Sequence, residues 1–181
     1  MKSECFSCGV EDSVSEQTMQ LQETKKLDEY ISNWGKVRQA VSGDGHCILN
    51  AFSLGIKELE IRDFNSNTEL ALHIKKEVMD NIDLYLPFVG DIDLIAELDD
   101  YLESKIYNSS LVDLMLHVLA NVTKMSLLVF YTHMGSVRNL LIPPRNGSSK
   151  KMVHLAKLGQ HYDAILDVST INTNLVESTC K

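Results

Sequence analysis

From Ser110 to Ala120 the chain is apolar nearly all round, and behind that segment the hydrophobic period changes from that of helices to that of strands. A helix that is apolar on every side has to be covered on more than one side, so Leu111 to Ala120 is predicted to run through the core. After it come four short β-rich runs: Ser126 to Tyr131, Val137 to Ile142, Met152 to Leu155 and Tyr162 to Val168. Gly135 sits at a hairpin-like turn between the first two, and Pro143-Pro144 closes the second. Before residue 110 the apolar spacing fits helices. Leu27, Tyr30 and Ile31 recur at i, i+3, i+4 in a short helix over 26–33, and a second helix runs from Cys47 to Leu54 with Gly55 as its C-cap. A third runs through Met79 behind Asn67-Thr68 as its N-cap, and a fourth spans Asp91 to Ile106. Helices first and strands last predict an α+β domain, with the helices packed on a small mixed or antiparallel sheet.

The chain has 181 residues and 44% hydrophobic content, enough for one domain with a sizeable core and too little for two comfortable ones. Residues 1–24, rich in Ser, Glu and Gln, read as a poorly ordered leader or a marginal helix; 25–168 form the domain and 169–181 a tail. Net charge is −8 with no Lys/Arg cluster, which argues against a nucleic-acid partner and is compatible with a basic protein or peptide. No run approaches the ~18 apolar residues of a membrane span. Met1 to Val10 lacks the basic-then-apolar pattern of a secretory signal, so no membrane partner is expected. The expected location is cytoplasmic or nuclear. The four cysteines, at 5, 8, 47 and 180, do not make a disulfide framework and are read as reduced thiols. Cys5-Phe6-Ser7-Cys8 has the spacing of half a zinc site, but no second pair follows, so no metal and no cofactor is expected.

Gly43-Asp44-Gly45-His46-Cys47 puts a thiol where a tight turn meets a helix start. The glycines permit φ > 0, and Asp44 favours the turn by bonding its own backbone. A thiolate at a helix N-terminus is stabilised by unpaired amides and by the macrodipole, and the same amides can hold a developing oxyanion. The other reading of this stretch is a turn beside an inert buried cysteine.

A cysteine nucleophile needs a base and a group that orients the base. His73 and His117 fall in helical apolar patterns, His133 beside a turn, His154 inside a strand, and His46 adjoins the thiol and points elsewhere. Gly159-Gln160-His161-Tyr162-Asp163 differs, because it leads directly into the apolar run Ala164-Ile165-Leu166. His161 then stands at the mouth of a strand and Asp163, two residues on, shares its face. Asp163 can accept one ring proton while the other nitrogen turns to the thiol, and Tyr162 points the opposite way into the core.

Together, Asp-Gly-x-Cys opening a helix and His-aromatic-Asp opening a late strand resemble the ovarian tumour (OTU) family of cysteine proteases. The resemblance extends over 28–168, where Leu111 to Ala120 and Leu127-Leu128-Val129-Phe130 look like the family's core helix and adjoining strand. It implies a papain-like fold with Cys47 as nucleophile, His161 as general base and then acid, Asp163 as orienting acceptor and Asp44 as the residue shaping the oxyanion loop. His46 stands where the family often has Asn, and Ile48-Leu49 replaces a more aromatic pair, which bears on pocket shape and substrate preference. The implied function is that of a deubiquitinating isopeptidase acting as a monomer on ubiquitin or polyubiquitin conjugates, or on a ubiquitin-like modifier, in a cell or in the cytoplasm of a virus's host. The alternatives are a catalytically silent ubiquitin-binding module and a papain-like protease of other peptides. Asp91, Asp93, Glu97, Asp99 and Asp100 form a solvated helix face or a field that attracts an arginine-rich tail.

Overall fold

The computed structural model describes residues 11–61, 64, 66–105, 109–147 and 150–169. Among the described residues, six helices and five strands follow one another as α1 (Glu11–Ser32), β1 (Lys36–Gln39), α2 (Cys47–Glu58), α3 (Asn67–Asp80), α4 (Ile82–Val89), α5 (Leu94–Ser104), α6 (Ser109–Thr123), β2 (Ser126–His133), β3 (Ser136–Ile142), β4 (Met152–Leu158) and β5 (His161–Asp167). The strands form one mixed sheet in the order β1-β5-β4-β2-β3. Only β2 and β4 run parallel; the other neighbours are antiparallel. The domain is thus α+β, as expected, with four of the five strands after residue 110; the strand β1 and the helix α4, both before it, were not expected.

Side-chain alternation along the strands separates two cores. Leu127, Val129, Val153, Leu155, Tyr162, Ala164 and Leu166 face the larger one, built with α2 to α6. Leu128, Phe130, Ala156 and Ile165 face the other side, where Leu27 and Ile31 of α1 cover them. Leu111, Met115, Val118, Leu119 and Ala120 are buried, so α6 is the core helix, while Asp113 and His117 are its exposed positions.

Several boundaries differ from the sequence reading. The helix expected over 26–33 is the last part of α1, which begins at Glu11. β1 was not expected at all: in Lys36-Val37-Arg38-Gln39 only one residue is apolar, too little for a strand pattern, and the segment is a strand because it pairs with β5 from Lys36↔Asp167 to Gln39↔Ala164. The cap of α3 is Ser66, whose hydroxyl accepts the Glu69 amide at 3.1 Å as the Ser-x-x-Glu spacing of a capping box allows. Gly55 does not end α2, which continues to Glu58. Its missing side chain serves packing instead, since a Cβ there would lie 2.6 Å from Val153 Cγ1 on β4. Cys5, Cys8 and Cys180, and with them the half zinc site, lie outside the described residues.

Candidate active site

The β1–β5 ladder decides where the thiol loop goes. Because the two strands are antiparallel, the end of β1 meets the start of β5, and the chain leaving Gln39 crosses the sheet end at His161 before entering α2 on the larger-core side. Two contacts fix this crossing. The Val41 amide donates to Asp163 Oδ1 at 3.0 Å, and a Cβ on Gly43 would stand 3.9 Å from both Nδ1 and Cε1 of His161. Cys47 is the first residue of α2 and is 5% exposed. The first amides of α2 have no partner in the preceding helical turn and are the local donors for a negative charge beside the thiol.

Asp44 organises the loop. Its Oδ1 accepts the His46 amide at 3.1 Å and the Asn50 side-chain amide at 3.1 Å, and its Oδ2 accepts the Lys105 ammonium at 3.1 Å. The Lys105 hydrogen bond leads the causes that hold the Asp44 carboxyl below its ordinary range. His46 is buried: its Nε2 donates to the Tyr101 carbonyl at 2.5 Å and its ring lies 5.1 Å from the Tyr101 ring. Both ties run to the C-terminal end of α5, which therefore buttresses the loop.

On β5, His161 Nε2 donates to Asp163 Oδ1 at 2.9 Å. That bond leaves Nδ1 free of Asp163, on the edge of the ring that meets Gly43 of the thiol loop. His161 is about one-third exposed at its side chain, 34%, whereas Asp163 is at 2%. Tyr162 points into the larger core. The structure so brings His161, Asp163 and the Cys47 loop to one sheet end, with Asp44 bracing the loop. Among the described residues no hydrogen bond joins the Cys47 sulfur to His161.

Two residues absent from the sequence reading complete the site. Arg38 of β1 donates from Nη1 to Asp163 Oδ2 at 2.7 Å, and from Nε and Nη2 to the two carboxylate oxygens of Asp28 on α1 at 2.7 and 2.9 Å. These bonds, that to Asp28 foremost, raise the already high pKa of the guanidinium. The one signal available in the sequence was a lone arginine in a short polar stretch before the turn, which means little until β1 is known to be a strand. The other four histidines are not partners of His161 or Asp163: His73 packs edge-on against Phe64 and His117 stacks on Phe88, while His154 lies against Phe130 within the sheet and His133, at the end of β2, is two strands away from β5.

No family model and no curated protein matches the sequence. The fold, in contrast, has clear counterparts among solved structures. The chain is similar to the OTU domain of OTUD1, with a TM-score of 0.65 and 17% identity over 84% of this chain and 99% of that one. It is similar to an OTU deubiquitinase from Wolbachia pipientis wMel bound to ubiquitin, with a TM-score of 0.56 and 16% identity over 75% of this chain and 98% of that one. An OTU domain in complex with ubiquitin gives a TM-score of 0.52 and 14% identity over 72% of this chain and 69% of that one. An α+β domain with a thiol loop and a His–Asp strand at one sheet end is the class this structure defines. Its fold is the OTU fold.

Proposed function

We propose that the protein is a deubiquitinating cysteine isopeptidase, cleaving the bond between the C-terminal glycine of ubiquitin and a lysine amine. The observation that carries this reading is the orientation of His161: Asp163 occupies Nε2, and the Nδ1 edge is turned to the loop that ends in Cys47. The two OTU structures that hold ubiquitin support the choice of substrate. Catalytic thiol and imidazole groups often close their hydrogen bond only around the reacting substrate.

In this mechanism His161 takes the Cys47 proton and the sulfur attacks the glycine carbonyl. The oxyanion that forms faces the amides at the start of α2, held in place by Asp44, His46 and the end of α5. His161 then gives its proton to the departing lysine amine as the C–N bond breaks, leaving a thioester on Cys47. A water deprotonated by His161 attacks the thioester, the C–S bond breaks, and the glycine carboxylate leaves while the thiol is restored. Asp163 holds the imidazole in the tautomer and orientation both steps need.

The test is a ubiquitin carrying an electrophilic C-terminus, followed by time courses on every diubiquitin linkage with Cys47→Ala as control. Covalent capture at Cys47 and linkage cleavage lost in Cys47→Ala are expected. Tight but wholly reversible binding would make the protein a silent module instead, and cleavage of short peptides alone would make it a protease of other substrates.

A further inference from the structure

Arg38 and Asp28 extend the His161–Asp163 pair across the α1 face of the sheet. Arg38 stands opposite Ile165 in the β1–β5 ladder, and Ile165 shares its face with Asp163 and His161, so all three polar side chains lie on that face. They form one line: Asp28 on α1, Arg38 on β1, then Asp163 and His161 on β5. The Arg38 side chain is 19% exposed and Asp163 2%, so the middle of the line is withdrawn from water.

A carboxylate buried to that degree is costly unless it is paired, and without a partner it turns away or takes up a proton. Arg38 occupies Oδ2, and with Val41 on Oδ1 it leaves the carboxylate no freedom to rotate away from the imidazole. Arg38 in turn is fixed by the Asp28 fork, which uses Nε and Nη2 and leaves Nη1 aimed at Asp163. Only a guanidinium has donors for both tasks in one plane; a lysine ammonium is a point charge and can serve one geometry well.

We propose that Arg38, braced by Asp28, is a positioning residue of the candidate active site, acting on the reacting groups only through Asp163. This rests on the reading of Cys47, His161 and Asp163 as the reacting set. It makes α1 part of the machinery: its Asp28 carboxylate sets the imidazole through Arg38 and Asp163, along the face of the sheet that α1 covers.

The test is a double-mutant cycle on the full chain, read in two ways: hydrolysis of a ubiquitin C-terminal amide, and the rate of Cys47 alkylation by iodoacetamide, followed at that cysteine by peptide mass. Arg38→Met is expected to lower kcat and the alkylation rate by about 10- to 100-fold, the scale on which groups that orient a reacting residue act, with KM unchanged. Arg38→Lys should recover part of the loss. In an Asp163→Asn background Arg38→Met should cost nothing further. Asp28→Asn, which leaves the buried pair in place, should show a smaller loss that also vanishes in that background, and it decides the matter if Arg38→Met does not fold. Equal losses with and without Asp163, or undiminished rates in both Arg38→Met and Asp28→Asn, overturn the proposal. If the wild type captures no ubiquitin, the substrate reading fails, but the alkylation cycle still measures whether Arg38 acts through Asp163.

Discussion

Gly45 lies so close to the end of α5 that a Cβ built on it would stand 2.0 Å from the backbone oxygen of Lys105. Its φ of +86° is in the left-handed region as well, so a side chain is opposed twice over. The loop that presents Cys47 is therefore shaped by contact with a helix more than fifty residues further along the chain.

Gly45→Ala is expected to push the loop off α5, weakening the His46–Tyr101 bond and the Asp44–Lys105 pair together. The strain exceeds the usual ~1 kcal/mol scale of a compatible Gly-to-Ala exchange and has the destabilising sign. A lower urea midpoint together with slower alkylation of Cys47 is the expected result, and a variant equal to wild type in both would remove α5 from the account.

Histidine and aspartate should separate activity from stability. His161 is partly exposed and makes one side-chain bond to the protein, so His161→Ala should cost under ~1 kcal/mol of stability while lowering kcat by on the order of 10² to 10⁴. Asp163→Ala strips Arg38 and the Val41 amide of a buried partner and should cost about 3 kcal/mol, yet keep measurable turnover because the carboxylate orients without reacting. Cys47→Ala should abolish turnover and leave the fold intact. Denaturant midpoints set beside kcat values check all three.

How much of this was legible in the sequence depended on whether a residue's role is local. The β5 placement of His161 and Asp163 needed only the two-residue period of a strand, and α6 only its unbroken apolar surface. Arg38 was illegible because its meaning comes from β1 pairing with β5 and α1 packing behind, both long-range events. Gly55 was misread for the same reason: a glycine near a helix end suggests a cap, and nothing nearby in sequence announces Val153.

Gly55 yields a prediction that opposes helix propensity. In an isolated helix Gly→Ala stabilises by about 1 kcal/mol. Here the new methyl would meet Val153 Cγ1 at 2.6 Å, and a β-branched side chain in a packed core has little room to give. Gly55→Ala should therefore destabilise by about 1–3 kcal/mol, and Gly55→Ala combined with Val153→Ala should recover part of that loss. Thermal denaturation of the single and double variants measures it.

His154 should make the fold acid-sensitive by itself. It sits on β4 opposite Leu128 and Ile165, on the α1 face, with its ring 6.3 Å from that of Phe130. Burial first, then the positive charge of Lys36, lowers its pKa from 6.5 to about 4, with Asp167 opposing weakly. A group whose folded pKa is depressed binds more protons when unfolded, so stability declines as pH falls from 6.5 and levels off for this group below about 4. His154→Leu removes the titration and keeps an apolar body against Phe130. The difference in unfolding free energy between wild type and His154→Leu, followed from pH 7 down to 4, should shift steadily in favour of the variant. Parallel curves across that window would mean that His154 is protonated as readily in the fold as in the unfolded chain.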